Sequence, residues 1–336
     1  WLGGSSEIAQ NSSEYFTILM LSIPFFQLRM LASSLVQSTG NMGIPSFTSA
    51  VTCLLDIFWN FWLIFPARTV EIIGLELYIP GAGLGVAGAA AGTLFAEVMT
   101  SAAILYYLIF RSELSLEKGE SWRLEKSKIL SALKLGIPVG IENAVMTAAM
   151  VATTRIIAPL GTVAIAANIF AIEAEGLCYM PGYGIGMAIT PVIGQCFGSK
   201  REDLLKRFAR TAIVLGAGIM GCCGLIMYFL CPLIFSFFTP DLAVRALGVS
   251  ILRIEMYAEP MFGVAIVTSA VLRGVGDTLI PSILNALSIW VIRISLCLLL
   301  VGIMGLQGAW LAMCVELYAR GILMLIRFVR EPWLKH

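Results

Sequence analysis

An acid and an amide lie one helical turn apart in one of the most apolar segments of the chain. Asp56 and Asn60 are the polar residues of LLDIFWNFWLIF, residues 54–65. A spacing of four puts both side chains on the same face of a helix. An acid at the centre of a membrane helix costs ~2.5–3.5 kcal/mol on insertion scales, so a partner or a water-filled cavity is expected. Two interpretations stay open: a functional site, and a hydrogen bond between helices that only fixes their packing.

Other charged residues interrupt apolar segments elsewhere. Glu142 and Asn143 follow Pro138, and Glu142 is a second intramembrane carboxylate that either lines a cavity or packs between helices. Arg29 lies about midway along the first apolar run, where it could counter Asp56 and compete with ion binding. Structural ion pairs are predicted for Arg293 and for Glu316 with Arg320. Asp277 and Arg273 are expected to form a loop clamp in the cytoplasmic turn RGVGDT.

The composition is that of an integral membrane protein. The chain is 59% hydrophobic and 13% charged, and its mean hydropathy of +0.90 lies far outside the range of soluble domains. The net charge of +1 gives no reason to expect nucleic-acid binding. Eight cysteines lie mostly in apolar runs without a CxxC motif, so we expect free thiols rather than disulfides or zinc ligands. The only histidine, His336, is terminal, which excludes an internal histidine nucleophile, ligand or proton relay.

Nine apolar runs are long enough to cross a bilayer as helices of about 20 residues. They predict an all-α membrane protein, with spans at 15–38, 45–65, 85–110, 133–157, 162–190, 208–234, 248–271, 281–303 and 306–328. Basic residues concentrate in alternate connections, which indicates that 111–134, 199–210, 273–280 and the C-terminus are cytoplasmic. Residue 1 is then expected outside.

An internal repeat relates residues 14–46 to residues 250–282. The identities include Pro24 with Pro260, Gly40 with Gly276, and Pro45 with Pro281. The second copy is preceded by three predicted spans and the first by none. We therefore expect three further helices before the N-terminus of this chain, giving six plus six helices related by an axis along the membrane normal.

The ordered motifs of the chain resemble those of the multidrug and toxic compound extrusion (MATE) family of secondary transporters. They are LKLGIPVGIENAV, TVAIAANIFAIEAEG, MAITPVIGQCFGSKREDLLKR, VLRGVGDTLIP and GAWLAMCVELYAR. The resemblance covers essentially the whole chain, as helices 4–12 of twelve, and implies two six-helix lobes around a central cavity. It divides the chain into 1–115 (rest of the N-terminal lobe), 116–132 (cytoplasmic linker) and 133–336 (C-terminal lobe). It also implies export of organic, often cationic, compounds in exchange for H⁺ or Na⁺, with no other cofactor.

The resemblance also implies roles for individual residues. The family binds its coupling cation with an Asn and an Asp spaced as Asp56 and Asn60 are, here in reversed order, with a Thr matched by Thr93 and with an Asp on helix 1. Asn168 and Glu173 match polar cavity positions, whereas Glu175 has no such match. Candidate substrate or cavity residues are thus Glu142, Asn143, Asn168, Glu173 and Glu259, the last about one turn before the position of a family Asp, which is Phe262 here.

Other functions remain to be weighed against export. A related lipid-linked oligosaccharide flippase shares the broad architecture but tends to have a more basic cavity. A membrane-embedded enzyme needs a nucleophile or metal site that the sequence does not offer, and no GxxxxGK[ST] motif for nucleotide binding occurs. A channel would not need the two-lobe duplication. We expect a multi-pass monomer of the inner plasma membrane, with small organic molecules and the lipid bilayer as its partners and no nucleic acid.

Overall fold

The computed structural model describes residues 6–72, 75–114 and 125–330. The chain divides into two units, residues 1–122 and residues 123–336. The predicted linker, 116–132, lies partly outside the described residues. Each unit is built almost entirely from long apolar helices.

The described residues of the first unit form three long helices and one hairpin. The helices are α1 (Ser6–Ser38), α2 (Gly43–Ile64) and α3 (Gly85–Phe110). Strands β1 (Pro66–Ile72) and β2 (Leu75–Ala82) pair antiparallel between α2 and α3. The hairpin was not expected from the sequence, although Pro66 ends the helical pattern and alternating residues follow it. Helix α3 packs against both α1 and α2, so it positions the side chains of the first unit.

The described residues of the second unit form eight α-helices. They are α4 (Lys126–Ile157), α5 (Thr162–Gly198), α6 (Glu202–Phe238), α7 (Leu242–Met256), α8 (Glu259–Gly274), α9 (Leu279–Leu287), α10 (Ser295–Met304) and α11 (Leu306–Val329). A 3₁₀ turn, Ala158–Leu160, follows α4, and a π-helical turn, Ser288–Ile294, joins α9 to α10. Helices α5, α6 and α8 pack closely together, because glycines bring their backbones near each other. A Cβ at Gly216 of α6, for example, would press against Val267 of α8.

The predicted span 248–271 is not one continuous helix. It breaks between Met256 and Glu259, and α7 and α8 meet at a bend of 55°. Pro260 is the second residue of α8, where its missing N–H costs nothing, but it could not continue α7 without losing a backbone hydrogen bond. Pro24, its partner in the repeat, lies inside the uninterrupted helix α1. The same proline is therefore used differently in the two copies.

The described residues contain eight helical segments long and apolar enough to cross a membrane, and a ninth if α7 and α8 count as one span. This agrees with the nine runs read from the sequence and confirms the all-α membrane fold. The repeat is also visible in the backbone. Gly40 and Gly276 both adopt a left-handed conformation, with φ of 89° and 86°, at the turns that precede α2 and α9. Glycine is required there because other residues are strained at such φ values.

Candidate functional site

The structure brings Asp56, Asn60 and Thr93 together in the first unit. The Thr93 hydroxyl donates a hydrogen bond of 2.8 Å to Asp56 Oδ1. The Asn60 amide donates one of 3.1 Å to Asp56 Oδ2 from the next turn of the same helix. All three side chains are half-buried. Asp56 and Asn60 therefore share a helix face, as their spacing predicted.

Gly92 makes this contact between α2 and α3 close. A Cβ at Gly92 would collide with the side-chain oxygen of Asn60 and lie 3.0 Å from its backbone nitrogen. The absence of a side chain lets α3 approach until Thr93, the next residue, reaches Asp56. Asn60 Oδ1 is left buried without a hydrogen-bond partner in the described structure. A buried acceptor of this kind is expected to find a donor or a cation.

Arg29 does not counter Asp56. Its guanidinium makes two hydrogen bonds to Glu97 of α3, of 2.7 Å and 3.0 Å. Both side chains are buried, so the arginine is neutralised by this pair. The expected competition between Arg29 and an ion at Asp56 is thus wrong, because α3 supplies a carboxylate of its own for Arg29. Among the described residues, Asp56 accepts only from the neutral groups of Thr93 and Asn60.

The chemistry of these three residues suits a small monovalent cation or a proton. The site offers one carboxylate, one hydroxyl oxygen and one amide oxygen that has no other partner. Hard cations bind oxygen ligands, and sites for divalent ions usually gather more than one carboxylate. A single charge-balancing proton or Na⁺ would neutralise Asp56 inside the membrane.

Glu142 of the second unit is held by four hydrogen bonds. Two of them, of 2.8 Å and 2.9 Å, come from Arg273 of α8. Ser282 and Asn285 of α9 donate the others, at 2.5 Å and 2.6 Å. Glu142 and Asn143 line a cavity of about 250 Å³ in this unit. The expected loop clamp between Arg273 and Asp277 is wrong, because Arg273 pairs with Glu142.

A larger cavity of about 420 Å³ also lies within the second unit. Asn168 of α5 lines it and accepts a hydrogen bond of 3.0 Å from the indole N–H of Trp310. Glu175 lines it as well. Glu173, in contrast, is exposed and lines neither cavity, and Glu259 is fully buried and lines neither.

The helical pattern of α5 explains why Glu175 and not Glu173 reaches this cavity. Asn168, Ile172, Glu175 and Tyr179 recur at intervals of four, three and four residues and all line the cavity. Side chains at such intervals share one helix face, and Glu173 lies on a different face of the helix. Sequence reasoning followed the family match to Glu173, although the spacing from Asn168 already favoured Glu175.

An Arg–Glu–Arg cluster lies beside the large cavity. Glu316 of α11 accepts hydrogen bonds from Arg293 at 2.8 Å and 3.1 Å, from Arg320 at 2.7 Å, and from Ser288. Glu316 is fully buried, whereas Arg293 and Arg320 line the cavity. The predicted structural ion pairs at these residues are confirmed.

Glycine contacts show which residues of the two units are equivalent. A Cβ at Gly88 of α3 would collide with the carbonyl oxygen of Leu63 in α2, and a Cβ at Gly308 of α11 would collide with that of Leu300 in α10. Asp56 precedes Leu63 by the same number of residues as Arg293 precedes Leu300. Arg293 is therefore the counterpart of Asp56 in the second unit.

The π-helical turn puts Arg293 in that register. Before the turn, Pro45 matches Pro281, and the turn adds one residue to the second copy. Without the added residue, Arg293 would match Ile57, which is 65% exposed and points away from the neighbouring helices. Within the described residues, the first unit thus has an acid without a cationic partner where the second unit has a guanidinium.

Comparisons with known proteins agree with this architecture. The MatE family model matches residues 138–299. A probable multidrug resistance protein NorM of Thermotoga maritima is 28% identical to this chain over 98% of the chain and 69% of the relative. The probable multidrug resistance protein YoeA of Bacillus subtilis is 23% identical over 99% of the chain and 71% of the relative.

Solved structures show the same fold. A crystal structure of MATE in complex with MaL6 superposes with a TM-score of 0.87 at 20% identity, covering 99% of this chain and 73% of that one. An outward-facing multidrug resistance MATE family transporter gives a TM-score of 0.86 at 21% identity, covering 99% and 72%. The fold is therefore shared along nearly the whole chain.

Proposed function

Because the chain belongs to the multidrug and toxic compound extrusion (MATE) family, we propose that it is a secondary active transporter that exports small organic compounds, often cationic ones. Similar proteins are named as probable multidrug resistance proteins, and a protein of the same fold has been solved with a bound compound. The protein is a multi-pass membrane transporter and not an enzyme. Its energy comes from an ion gradient.

The observation that carries the coupling proposal is the unpaired acid of the first unit. In the described residues, Asp56 has two neutral donors and no cationic partner. An ionised carboxylate in a membrane helix is costly without a counter-charge. We assign Asp56, Asn60 and Thr93 to the binding of the coupling ion, H⁺ or Na⁺. Arg29 does not act as the counter-charge of Asp56, because Glu97 already neutralises the charge of Arg29.

Ion binding at Asp56 would bias the protein between two states that open on opposite sides of the membrane. A ligand shifts such an equilibrium only by its difference in affinity for the two states. A single positive charge that crosses the membrane potential contributes about 2.3 kcal/mol per 100 mV. Inward movement of the ion along its gradient would therefore drive outward movement of the compound.

The remaining assignments follow from the distribution of charge and from the family. We propose a monomer in the inner plasma membrane, surrounded by lipid, with its C-terminus on the cytoplasmic side. The C-terminal residues themselves lie outside the described residues. Glu142, Asn143, Asn168 and Glu175 belong to the walls of the two cavities in the second unit, where a substrate could bind.

Transport of a fluorescent organic cation into or out of vesicles tests the proposal. The protein is reconstituted, and a pH gradient or a Na⁺ gradient is imposed separately. We expect one of the two gradients to drive transport in the wild-type protein. In Asp56→Asn, which keeps the size of the side chain, gradient-driven transport is expected to be lost.

A variant on the same helix controls for folding. Thr48→Ala, two turns before Asp56, removes a hydroxyl whose one hydrogen bond among the described residues is to the carbonyl of Ile44. It should insert and transport normally. Wild-type transport that responds to neither gradient would contradict ion coupling. Undiminished coupling in Asp56→Asn would show that Asp56 only fixes helix packing.

A further inference from the structure

Glu175 is an acid of the large cavity whose carboxylate no polar side chain contacts directly in the described part of the chain. It is 6% exposed and lines the cavity of about 420 Å³. Within the described part of the chain, no hydrogen bond or ion pair to its carboxylate is formed. Cavities of this volume are typical of small-molecule sites. A buried polar side chain that faces such a cavity without a partner is positioned for a ligand.

Three other polar side chains of this cavity are already engaged. Asn168 Oδ1 accepts a hydrogen bond of 3.0 Å from the indole N–H of Trp310. Arg293 and Arg320 share the carboxylate of Glu316. Two guanidinium groups and one carboxylate leave a single positive charge, which an ionised Glu175 balances. The cavity is then neutral when Glu175 is ionised and positively charged when Glu175 is protonated.

The remaining wall is apolar and aromatic. Met146, Met150, Tyr179, Phe262 and Trp310 are among the side chains that line it. Aromatic faces attract organic cations, and thioether side chains adapt to irregular apolar ligands. The wall thus fits the apolar body of an amphipathic compound, while Glu175 fits a positively charged group on it.

Deepening the proposed export function, on which this step rests, we propose that Glu175 binds the cationic group of the transported compound and that a proton replaces that group when the compound leaves. The carboxylate exchanges one monovalent positive partner for another, so the net charge of the cavity is the same in both forms. With the compound gone and the proton bound, the charge of Arg293 and Arg320 repels the cation. Because Arg293 is the counterpart of Asp56, the second unit has no acid at the equivalent position to do this.

The charged groups of the adjoining helices do not replace Glu175 as the acid that binds the cation or the proton. Glu255 of α7 and Glu259 of α8 are fully buried, and neither forms an ion pair within the part of the chain that the structure describes. Unpaired carboxylates at such positions are disfavoured, so we expect both to be neutral acids. Glu142 is paired with Arg273 in the smaller cavity. Tyr179, Tyr183, Arg293 and Arg320 are the other titratable or charged residues of the large cavity.

Binding of tetraphenylphosphonium to the detergent-solubilised protein tests this assignment. The probe is permanently charged, so any pH dependence of its binding comes from the protein. We expect its affinity to rise from pH 5.5 to pH 8 in the wild type, as the competing proton leaves. In Glu175→Gln, we expect affinity at pH 8 to fall by about tenfold or more, and the pH dependence to be lost. Glu175→Asp should retain both features in weakened form.

Two controls separate a charge effect from a structural one. Triphenylphosphine oxide, a neutral molecule of related shape, should bind wild type and Glu175→Gln alike. Glu173→Gln changes an exposed acid on the same helix and should leave binding of the cation unchanged. Equal loss of both probes in Glu175→Gln, or an unaltered pH dependence, would overturn the assignment.

The proposed role of Asp56 in ion coupling can be tested independently of the role of Glu175. Asp56→Asn should lose gradient-driven transport but keep pH-dependent binding of tetraphenylphosphonium. If Asp56→Asn and not Glu175→Gln removes the pH dependence, the proton competes at Asp56 and the role of Glu175 is contradicted. If Glu175→Gln behaves as expected while Asp56→Asn still couples, only the assignment of Asp56 is wrong.

Discussion

The hydroxyl of Thr93 lies 2.8 Å from Asp56 Oδ1 and links the acid of α2 to the helix that packs against it. Hydrogen bonds to a charged group contribute about 1.5–3 kcal/mol, more than those between neutral groups. This bond also fixes the direction of the carboxylate, so its second oxygen meets the amide of Asn60. The proposed ion site therefore depends on the fit between two helices and not on α2 alone.

Replacing Thr93 with Val tests this dependence. The side chains have similar shape, but Val cannot donate to Asp56 or offer an oxygen to an ion. We expect the apparent affinity for the coupling ion to fall by about tenfold, corresponding to 1.4 kcal/mol. The measurement is the initial rate of gradient-driven transport as a function of ion concentration.

Thr93→Ser keeps the hydroxyl and serves as the matched control. Its ion dependence should remain close to that of the wild type. A change in Ser but not in Val would indicate that the packing of the methyl group matters and the oxygen does not. No change in either variant would remove Thr93 from the ion site.

Gly92→Ala should disturb the same site through sterics. The new Cβ would meet the side-chain oxygen of Asn60, so α3 or the carboxamide has to move. We expect weaker ion binding and a loss of stability in the range of 1–3 kcal/mol that is usual for overpacking. Thermal unfolding and ion-dependent transport are the measurements.

Two further variants show whether that collision is the cause. Gly218→Ala adds the same group to a helix position with open space around it and should be harmless. Adding Asn60→Ala to Gly92→Ala removes the colliding carboxamide and should restore stability without restoring ion affinity. Stability that stays low in the double variant would show that the added Cβ collides with the backbone of α2 at Asn60 and not only with the carboxamide.

Periodicity and composition were sufficient to predict the membrane spans. Each apolar run found in the sequence corresponds to a helix or, for α7 and α8, to a bent pair. Spacing also predicted that Asp56 and Asn60 share a face, because four residues make about one turn. Those features depend on residues that are close together in the sequence, so the sequence alone is enough to predict them.

The ion pairs between different helices could not be predicted from local patterns. Arg29 pairs with Glu97, and Arg273 pairs with Glu142 and not with Asp277, which is bonded to Arg327 instead. Which carboxylate meets which guanidinium depends on how helices far apart in sequence pack. The counterpart of Asp56 was hidden for a different reason, because the π-helical turn shifts the repeat by one residue before Arg293.

The pair between Arg29 and Glu97 should be a major contributor to the stability of the first unit. Both groups are buried, and removing one partner leaves the other charge uncompensated, at a cost of about 3–5 kcal/mol. We expect Glu97→Gln to lower the thermal stability of the purified protein strongly.

A double variant distinguishes the cost of an unpaired charge from the value of the pair. Arg29→Met combined with Glu97→Met replaces both charges with apolar groups and should be less destabilised than Glu97→Gln, since buried pairs often contribute little net stability. A double variant as unstable as the single one would mean that the pair itself stabilises the helix contact.

Glu142 gives the last prediction, because its four hydrogen bonds argue for a structural role over an exchangeable one. Arg273, Ser282 and Asn285 connect Glu142 to α8 and α9 through these hydrogen bonds. A proton or a substrate that bound to the Glu142 carboxylate would have to break them. We expect Glu142→Gln to destabilise the protein by a few kcal/mol, as the guanidinium of Arg273 loses its counter-charge. Gradient dependence and the pH dependence of cation binding should persist in the folded fraction. A folded Glu142→Gln protein that had lost its pH dependence would instead put the exchangeable proton of the second unit at Glu142.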